Sequence, residues 1–185
     1  MHLDDVVALG GEPTRNRDLR TRGRQTIAKL LRAGQMVVEE RGHDLARVDD
    51  IVARAGVSHG TFYLYFRDRD DMLRSLIRLV ARQLQPLGAQ IGHRPEADQL
   101  AIWIRGAISS FDEHAEVLRA AQSMGSDDAI AALIDPVATA LGGEDSMLVA
   151  QLLLCHIARA TVRDDIVDVS ALARVTLRAA AVAAV

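Results

Sequence analysis

The densest cluster of hydrogen-bonding and aromatic side chains in the sequence runs from Ser58 to Phe66, reading Ser-His-Gly-Thr-Phe-Tyr-Leu-Tyr-Phe. At helical spacing Phe62 and Phe66 share one face and turn inward. The other face then offers His59, Gly60, Thr61, Tyr63, Leu64 and Tyr65. Thr61 and Tyr63 carry hydroxyls that bond phosphate oxygens or base edges, Gly60 lets a backbone approach closely, and Leu64 suits a thymine methyl. A helix face turned to water alone seldom carries two Tyr and a Leu. The chemistry implied is the grip of a helix on a DNA groove.

The same stretch offers a competing motif. Gly56-Val57-Ser58-His59-Gly60 fits G-x-S-x-G, the nucleophile elbow of serine hydrolases. That elbow requires a buried strand before the serine, so that the hydroxyl projects above a sheet. The residues before Ser58 form a short amphipathic helix pattern instead, so hydrolysis is set aside and no catalytic residue is assigned. The six His, at 2, 43, 59, 93, 114 and 156, form no i,i+4 pair, and a lone Cys155 supplies neither a disulfide nor a thiolate cluster. No glycine-rich phosphate loop occurs, so neither metal nor cofactor is expected.

The elements that position this cluster are helices. Ile27, Leu30, Leu31, Gly34 and Val38 recur at helical spacing in a first helix from about Leu19 to Arg41, stopped by Gly42. Val48, Ile51, Val52 and Ala55 give a two-turn second helix ended by Gly56. Ser58 is a good N-cap for the third, from His59 to Phe66. Two short helices joined by a turn make a helix-turn-helix, whose second helix enters the major groove. A fourth helix has Asp68 as N-cap and Asp71 three residues on, and ends at Pro86. Gly88, Gly92 and Pro95 then read as a linker. Further helices are expected at about 97–113, 115–123, 127–140, 145–163 and 168–183, giving an all-α chain of about nine.

Composition agrees. In 185 residues, 49% apolar and 25% charged with only 3% aromatic, a helical globular chain is expected and a sheet-rich one is not. The longest relevant charge-free run, residues 146–158, is too short to span a bilayer, which takes about 20 residues. The acidic N-terminus does not read as a signal peptide, so the expected location is the cytoplasm. The net charge of −3 hides an asymmetry: residues 1–85 hold 15 Lys and Arg against 12 acids, and residues 86–185 hold 7 against 13. The basic excess concentrates in Arg15, Arg17, Arg20, Arg22, Arg24, Lys29 and Arg32. That run is either an arm for phosphate or a solvated tail.

The stretch from Ile51 to Phe66, followed by Asp68-Arg69-Asp70 and Leu73, resembles the signature of the TetR family of transcriptional regulators. The resemblance covers about Arg24 to Ile77 and includes Ala33-Gly34 and the turn at Gly42. It implies a flexible arm over residues 1–18, a helix-turn-helix domain over 19–67, and a ligand-binding and dimerisation domain over 68–185. It implies too that Ser58, His59, Gly60 and Thr61 enter the groove, that Tyr63 and Tyr65 hold phosphate or base edges, and that Arg69 pairs a phosphate; Leu64, from its place on the outward face, and Arg22 and Arg24, from the charge of the basic run, complete the expected contact set. Two departures stand out. Where the family usually has Thr-Thr or Ser-Thr before the second helix, capping it and bonding phosphate, this chain has Ala46-Arg47, so Arg47 is expected to take over the phosphate contact by charge while the helix loses its capping hydroxyl. Asp49 stands where some relatives place a basic base-reader, and a carboxylate there repels phosphate.

The C-terminal half is read more coarsely. Helix 145–163 is apolar nearly all round, and helix 168–183 adds Leu172, Val175, Leu177 and Val182. Such helices need cover on two sides, and a twofold-related copy supplies one of them for a reader of palindromes; a wholly internal core is the alternative. The interface is expected at Leu153, Ile157, Leu172 and Val175. Leu100, Trp103, Ile104, Ala107, Ile108 and Phe111 form one stripe, which by itself reads as core. With the family's ligand cavity in mind, Trp103, Ala107, Phe111, Met124 and His156 are expected around an apolar pocket. The chain thus reads as a homodimeric regulator, a repressor released from a palindromic double-stranded DNA operator by a small, mostly apolar effector. An activator of the same fold is the nearer alternative, and a helical carrier or enzyme with a degenerate helix-turn-helix the more distant one.

Overall fold

The computed structural model describes residues 21–126, 128–142, 145–163 and 165–182. Among them are nine helices and no strand: α1 (Thr21–Arg41), α2 (Val48–Ala55), α3 (His59–Tyr65), α4 (Arg69–Gln90), α5 (Ala97–Asp112), α6 (Ala115–Ser123), α7 (Asp128–Leu141), α8 (Ser146–Arg163) and α9 (Val169–Val182). The expected arm over residues 1–18 lies outside the described residues.

The head is three helices wedged on the start of a fourth. The apolar stripe of α1 packs on α2 and α4, burying Leu30, Leu31 and Val38 against Ile51, Phe62 and Met72. Gly56 ends α2 at φ +65°, a left-handed conformation that glycine enters without steric cost, and so sets the turn into α3. Asp68 caps α4 by accepting from the Asp71 N–H at 2.7 Å, and the Asp71 carboxylate accepts from the Arg67 N–H at 3.1 Å. The Arg54 guanidinium grips the Glu40 carboxylate and holds it below the usual carboxylate range, tying α2 to the end of α1.

The fourth helix corrects one expectation. It runs through Pro86 to Gln90, and Gly88, expected in a linker, is buried within it. Proline removes one backbone donor and normally ends a helix. Here tertiary packing outweighs that loss: Gly88 lies directly against Pro136 of α7, and the Leu87 carbonyl accepts the Trp103 Nε1–H at 2.8 Å. The turn itself comes at Gly92, φ +74°.

In the body, α7 packs between α4 and α8, α5 lies against α8 and α9, and α6 touches α1, α4 and α8. The core is continuous from Leu30 in α1 to Ile157 in α8. Two connections therefore join head to body, α4 by continuity and α6 by contact with α1.

Candidate nucleic-acid interface

Recognition-helix side chains are useful only if held still before the partner arrives. Ser58 does this at the start of α3: its Oγ accepts the Thr61 N–H at 3.1 Å and lies 3.0 Å from the Thr61 Oγ1. The serine caps the helix and fixes the threonine rotamer together. His59, the first residue of α3, places Nε2 2.6 Å from Asp49 Oδ1 on α2, so the two helices are tied across the turn at their outer surface. Phe62 is fully buried and packs edge-on to Tyr63, ring centroids 5.3 Å apart, which steadies an otherwise exposed phenol. Leu64 is exposed beside it.

Gly60 sharpens the reading. A β-carbon built there would come no nearer any neighbour than 3.8 Å, and its φ is not positive. Neither backbone conformation nor internal packing asks for glycine at this position. The room left by the missing side chain opens outward, where a partner's backbone could use it.

Not every expected contact residue joins this surface. Arg69 donates to the carbonyls of His43 and Asp44, both at 3.3 Å, and to Asp70 Oδ1 at 2.9 Å, so it braces the loop between α1 and α2 rather than standing out toward a phosphate. Tyr65 is half-buried and packs on the core. Arg47 is exposed at the N-cap of α2 and makes no side-chain cap. Arg22 is exposed on α1, whereas Arg24 is half-buried and already has a partner. The Asp49–His59 pair was not foreseen. Ten residues separate the two, and no sequence periodicity announces a contact across a turn between helices.

The expected effector and interface residues are also redistributed. Trp103, Ala107 and Phe111 are buried in close-packed core, Met124 is half-buried at the end of α6, and His156 is exposed on the outside of α8. None of these five lines the groove of about 270 Å³ between α6, α7 and α8, whose apolar floor includes Leu118, Ala121, Ile130 and Ala158, with Arg159 and Arg163 also on its wall. Leu153 and Ile157 point into the protomer's own core and are closed to a partner. The large apolar residues of α8 that face out are Met147, Leu148 and Leu152, the last two one turn apart, while on α9 Val175 is exposed and Leu172 half-buried. The periodicity gave two apolar faces on α8 but could not tell which was inner. Among the described residues no group of His, Cys, Asp or Glu could hold a metal ion, and no helix is long and apolar enough to cross a membrane.

Comparison with known proteins places this geometry. Residues 30–76 match the family model of bacterial regulatory proteins, tetR family. The HTH-type transcriptional regulator EthR of Mycobacterium tuberculosis H37Rv is 28% identical over 115 residues, 60% of this chain and 53% of EthR, so the chain spans about half the length of that curated relative. Among solved structures, a TetR-family transcriptional regulator from Pectobacterium atrosepticum is similar with a TM-score of 0.64 at 19% identity, over 88% of this chain and 94% of that one. FadR from Bacillus subtilis, solved in complex with stearoyl-CoA, is similar with a TM-score of 0.59 at 21% identity, over 82% of this chain and 95% of that one. Those two likenesses establish the helical fold, and the head carries the family match. Residues 30–76 thus form a helix-turn-helix head of the kind found in the tetR family of bacterial regulatory proteins.

Proposed function

We propose that the protein is a sequence-specific DNA-binding transcriptional regulator, and not an enzyme, that sits as a homodimer on a palindromic operator in the cytoplasm and is released by a small-molecule effector. One observation carries the DNA reading: the outward face of α3 combines exposed Tyr63 and Leu64 with a Ser58–Thr61 pair already fixed in place. Such a face is arranged for a partner with both polar edges and apolar methyls, which is what the major groove offers. The half of the dimer contributed by this chain is the outer surface of α8 and α9, at Leu148, Leu152 and Val175. Two heads joined this way read half-sites about 34–36 Å apart, one turn of B-DNA.

The effector's seat is the groove between α6, α7 and α8, and the Trp103–Phe111 stripe belongs to the buried core. An apolar floor with Arg159 and Arg163 beside it suits a molecule with a greasy body and an acidic end, as stearoyl-CoA is for FadR. Because α6 also touches α1, a ligand that binds one α6 position better than another alters the stance of the head. Release on effector binding makes the protein a repressor; an activator would hold its operator and recruit polymerase.

The test is selection of bound DNA from a random library, followed by gel-shift titration. An inverted repeat should be enriched, and Tyr63→Ala or Thr61→Val should weaken its binding by about 1–3 kcal/mol per subunit while the circular dichroism stays that of the parent. Unchanged affinity for both variants would remove α3 from the groove.

A further inference from the structure

A carboxylate is the wrong charge for a surface that meets DNA, yet Asp49 stands on the outer edge of the head with its side chain 79% exposed. It is not idle there. Its Oδ1 lies 2.6 Å from the Nε2 of His59, the opening residue of α3, whose own side chain is 55% exposed. We infer that Asp49 is a specificity-determining positioning residue, which locks the His59 imidazole so that its Nδ1 reads one base pair of each half-site.

The argument is geometric and rests on the DNA-binding reading above. An imidazole free to rotate about two side-chain bonds presents either nitrogen to a partner and discriminates poorly. When a carboxylate takes the Nε2–H, the ring plane is fixed and Nδ1 is left as the only nitrogen for an outside group. Among the described residues Nδ1 of His59 takes no hydrogen bond. The other helix-opening side chain is fixed in the same way: Ser58 is held by Thr61. The two pairs lie on consecutive residues of one turn, so the start of α3 is set in advance of contact. This arrangement also accounts for the acid in electrostatic terms. A lone Asp49 would only repel phosphate, weakening all DNA equally, whereas an Asp49 that orders His59 weakens non-cognate DNA and leaves the cognate site its extra bond. Ion pairing between exposed partners contributes little to stability, so the pair's role lies in what it presents. A direct contact from Asp49 to a cytosine amino group is the rival reading, since carboxylates accept from that donor.

A double-mutant cycle on the full-length protein separates these readings. Wild type, Asp49→Ala, His59→Ala and the double variant are each run through the same random-library selection, and their affinities are measured for the enriched site, for that site changed at each base pair in turn, and for DNA lacking it. Asp49→Ala should flatten the preference at one base pair of each half-site by about tenfold and, having lost a negative charge, bind DNA lacking the site about two- to fivefold more tightly. In the His59→Ala background the same change should leave base preference unaltered, while still raising non-cognate affinity. Asp49→Asn, which keeps an accepting oxygen, should retain most of the preference. If Asp49→Ala spares every base preference, the residue is only a surface charge and the inference falls. If it shifts preference equally with and without His59, Asp49 reads the base itself and the inference also falls. Should wild type enrich no sequence at all, the DNA-binding reading fails and takes this inference with it, an outcome distinct from either of the others.

Discussion

Two regions of the molecule expose apolar side chains to nearly the same degree. Tyr63 and Leu64 on the head are 54% and 63% exposed, and Leu148, Leu152 and Val175 on the body are 56%, 62% and 63% exposed. The amount of exposed surface does not distinguish them; its company does. On α3 and its cap the apolar groups alternate with hydroxyls and an imidazole, with the Asp49 carboxylate of α2 beside them, several already hydrogen-bonded to each other. On α8 Leu148 and Leu152 stand one turn apart with Met147 beside them, an aliphatic cluster over the first half of the helix that gives way to exposed Cys155, His156 and Arg159. A mixed, pre-ordered surface suits a polar partner that is read; an aliphatic cluster suits a copy of itself. On the proposed function, the head discriminates and the body adheres.

The most forceful way to break that contrast is to damage the core that both share. Trp103→Ala removes a buried ring and orphans the Leu87 carbonyl it serves, and should cost about 3–5 kcal/mol in denaturant unfolding. If the chain retains its stability, the α5 stripe is a cavity lining after all and the effector belongs there. Next in size is the cluster itself. Leu148→Asp with Leu152→Asp should yield a folded monomer by sedimentation and lower operator affinity by about 100-fold, near 2.7 kcal/mol, since a monomer holds one half-site only. A dimer that survives both charges would place the interface on another face.

A finer comparison sets one glycine against another. A β-carbon at Gly88 would lie 2.9 Å from Pro136 Cγ and closer still to its Cβ, and a proline ring inside a helix has little freedom to move away. At Gly34 the obstacle is 2.8 Å away, but it is the sulfur of Met72, on a chain of freely rotating bonds. Gly88→Ala should therefore destabilise by about 2 kcal/mol and Gly34→Ala by less than about 1 kcal/mol. Equal costs in thermal unfolding would mean that the head is packed as stiffly as the body.

The same division decides how much could be read from the sequence. The head's elements follow local rules: Ser58 and Asp68 are caps, Gly56 is a left-handed stop, and each acts within four residues. The body depends on contacts far apart in the chain. Pro86 looked like the end of a helix because the local rule says so; Gly88 against Pro136 and Leu87 against Trp103 overrule it from 48 and 16 residues away. Leu153 and Leu152 are adjacent and chemically identical, yet one is core and the other surface, a distinction set by where α5 and α7 lie. Within the site, the hydroxyls of α3 were legible from spacing, but Asp49 read alone as a misplaced charge. Its meaning came only when folding brought His59 to it, and Arg69, read as a phosphate clamp, proved to be turned toward the loop between α1 and α2.

The smallest expected effect lies at the seam between the two regions. His114 sits in the turn between α5 and α6, where α6 meets α1; its Nδ1 is buried with no hydrogen-bond partner. Burial lowers its pKa below the ordinary histidine value, against a weaker upward pull from Glu113 and from Glu39 on α1. A histidine with a lowered folded-state pKa binds fewer protons than it does in the unfolded chain over the interval between the two values. Stability contributed by the neutral ring is therefore present above the unfolded value, about 6.5, and declines as the pH falls through that interval. Protonation would also introduce a cation between head and body, opposite Glu39, and so act on the contact that links them. The melting temperature should fall between pH 7.5 and pH 5.5, and His114→Gln, which cannot take up the proton, should fall less. Parallel curves for the two proteins would mean that the seam is wet enough for the imidazole to titrate freely, and that head and body touch there without sealing.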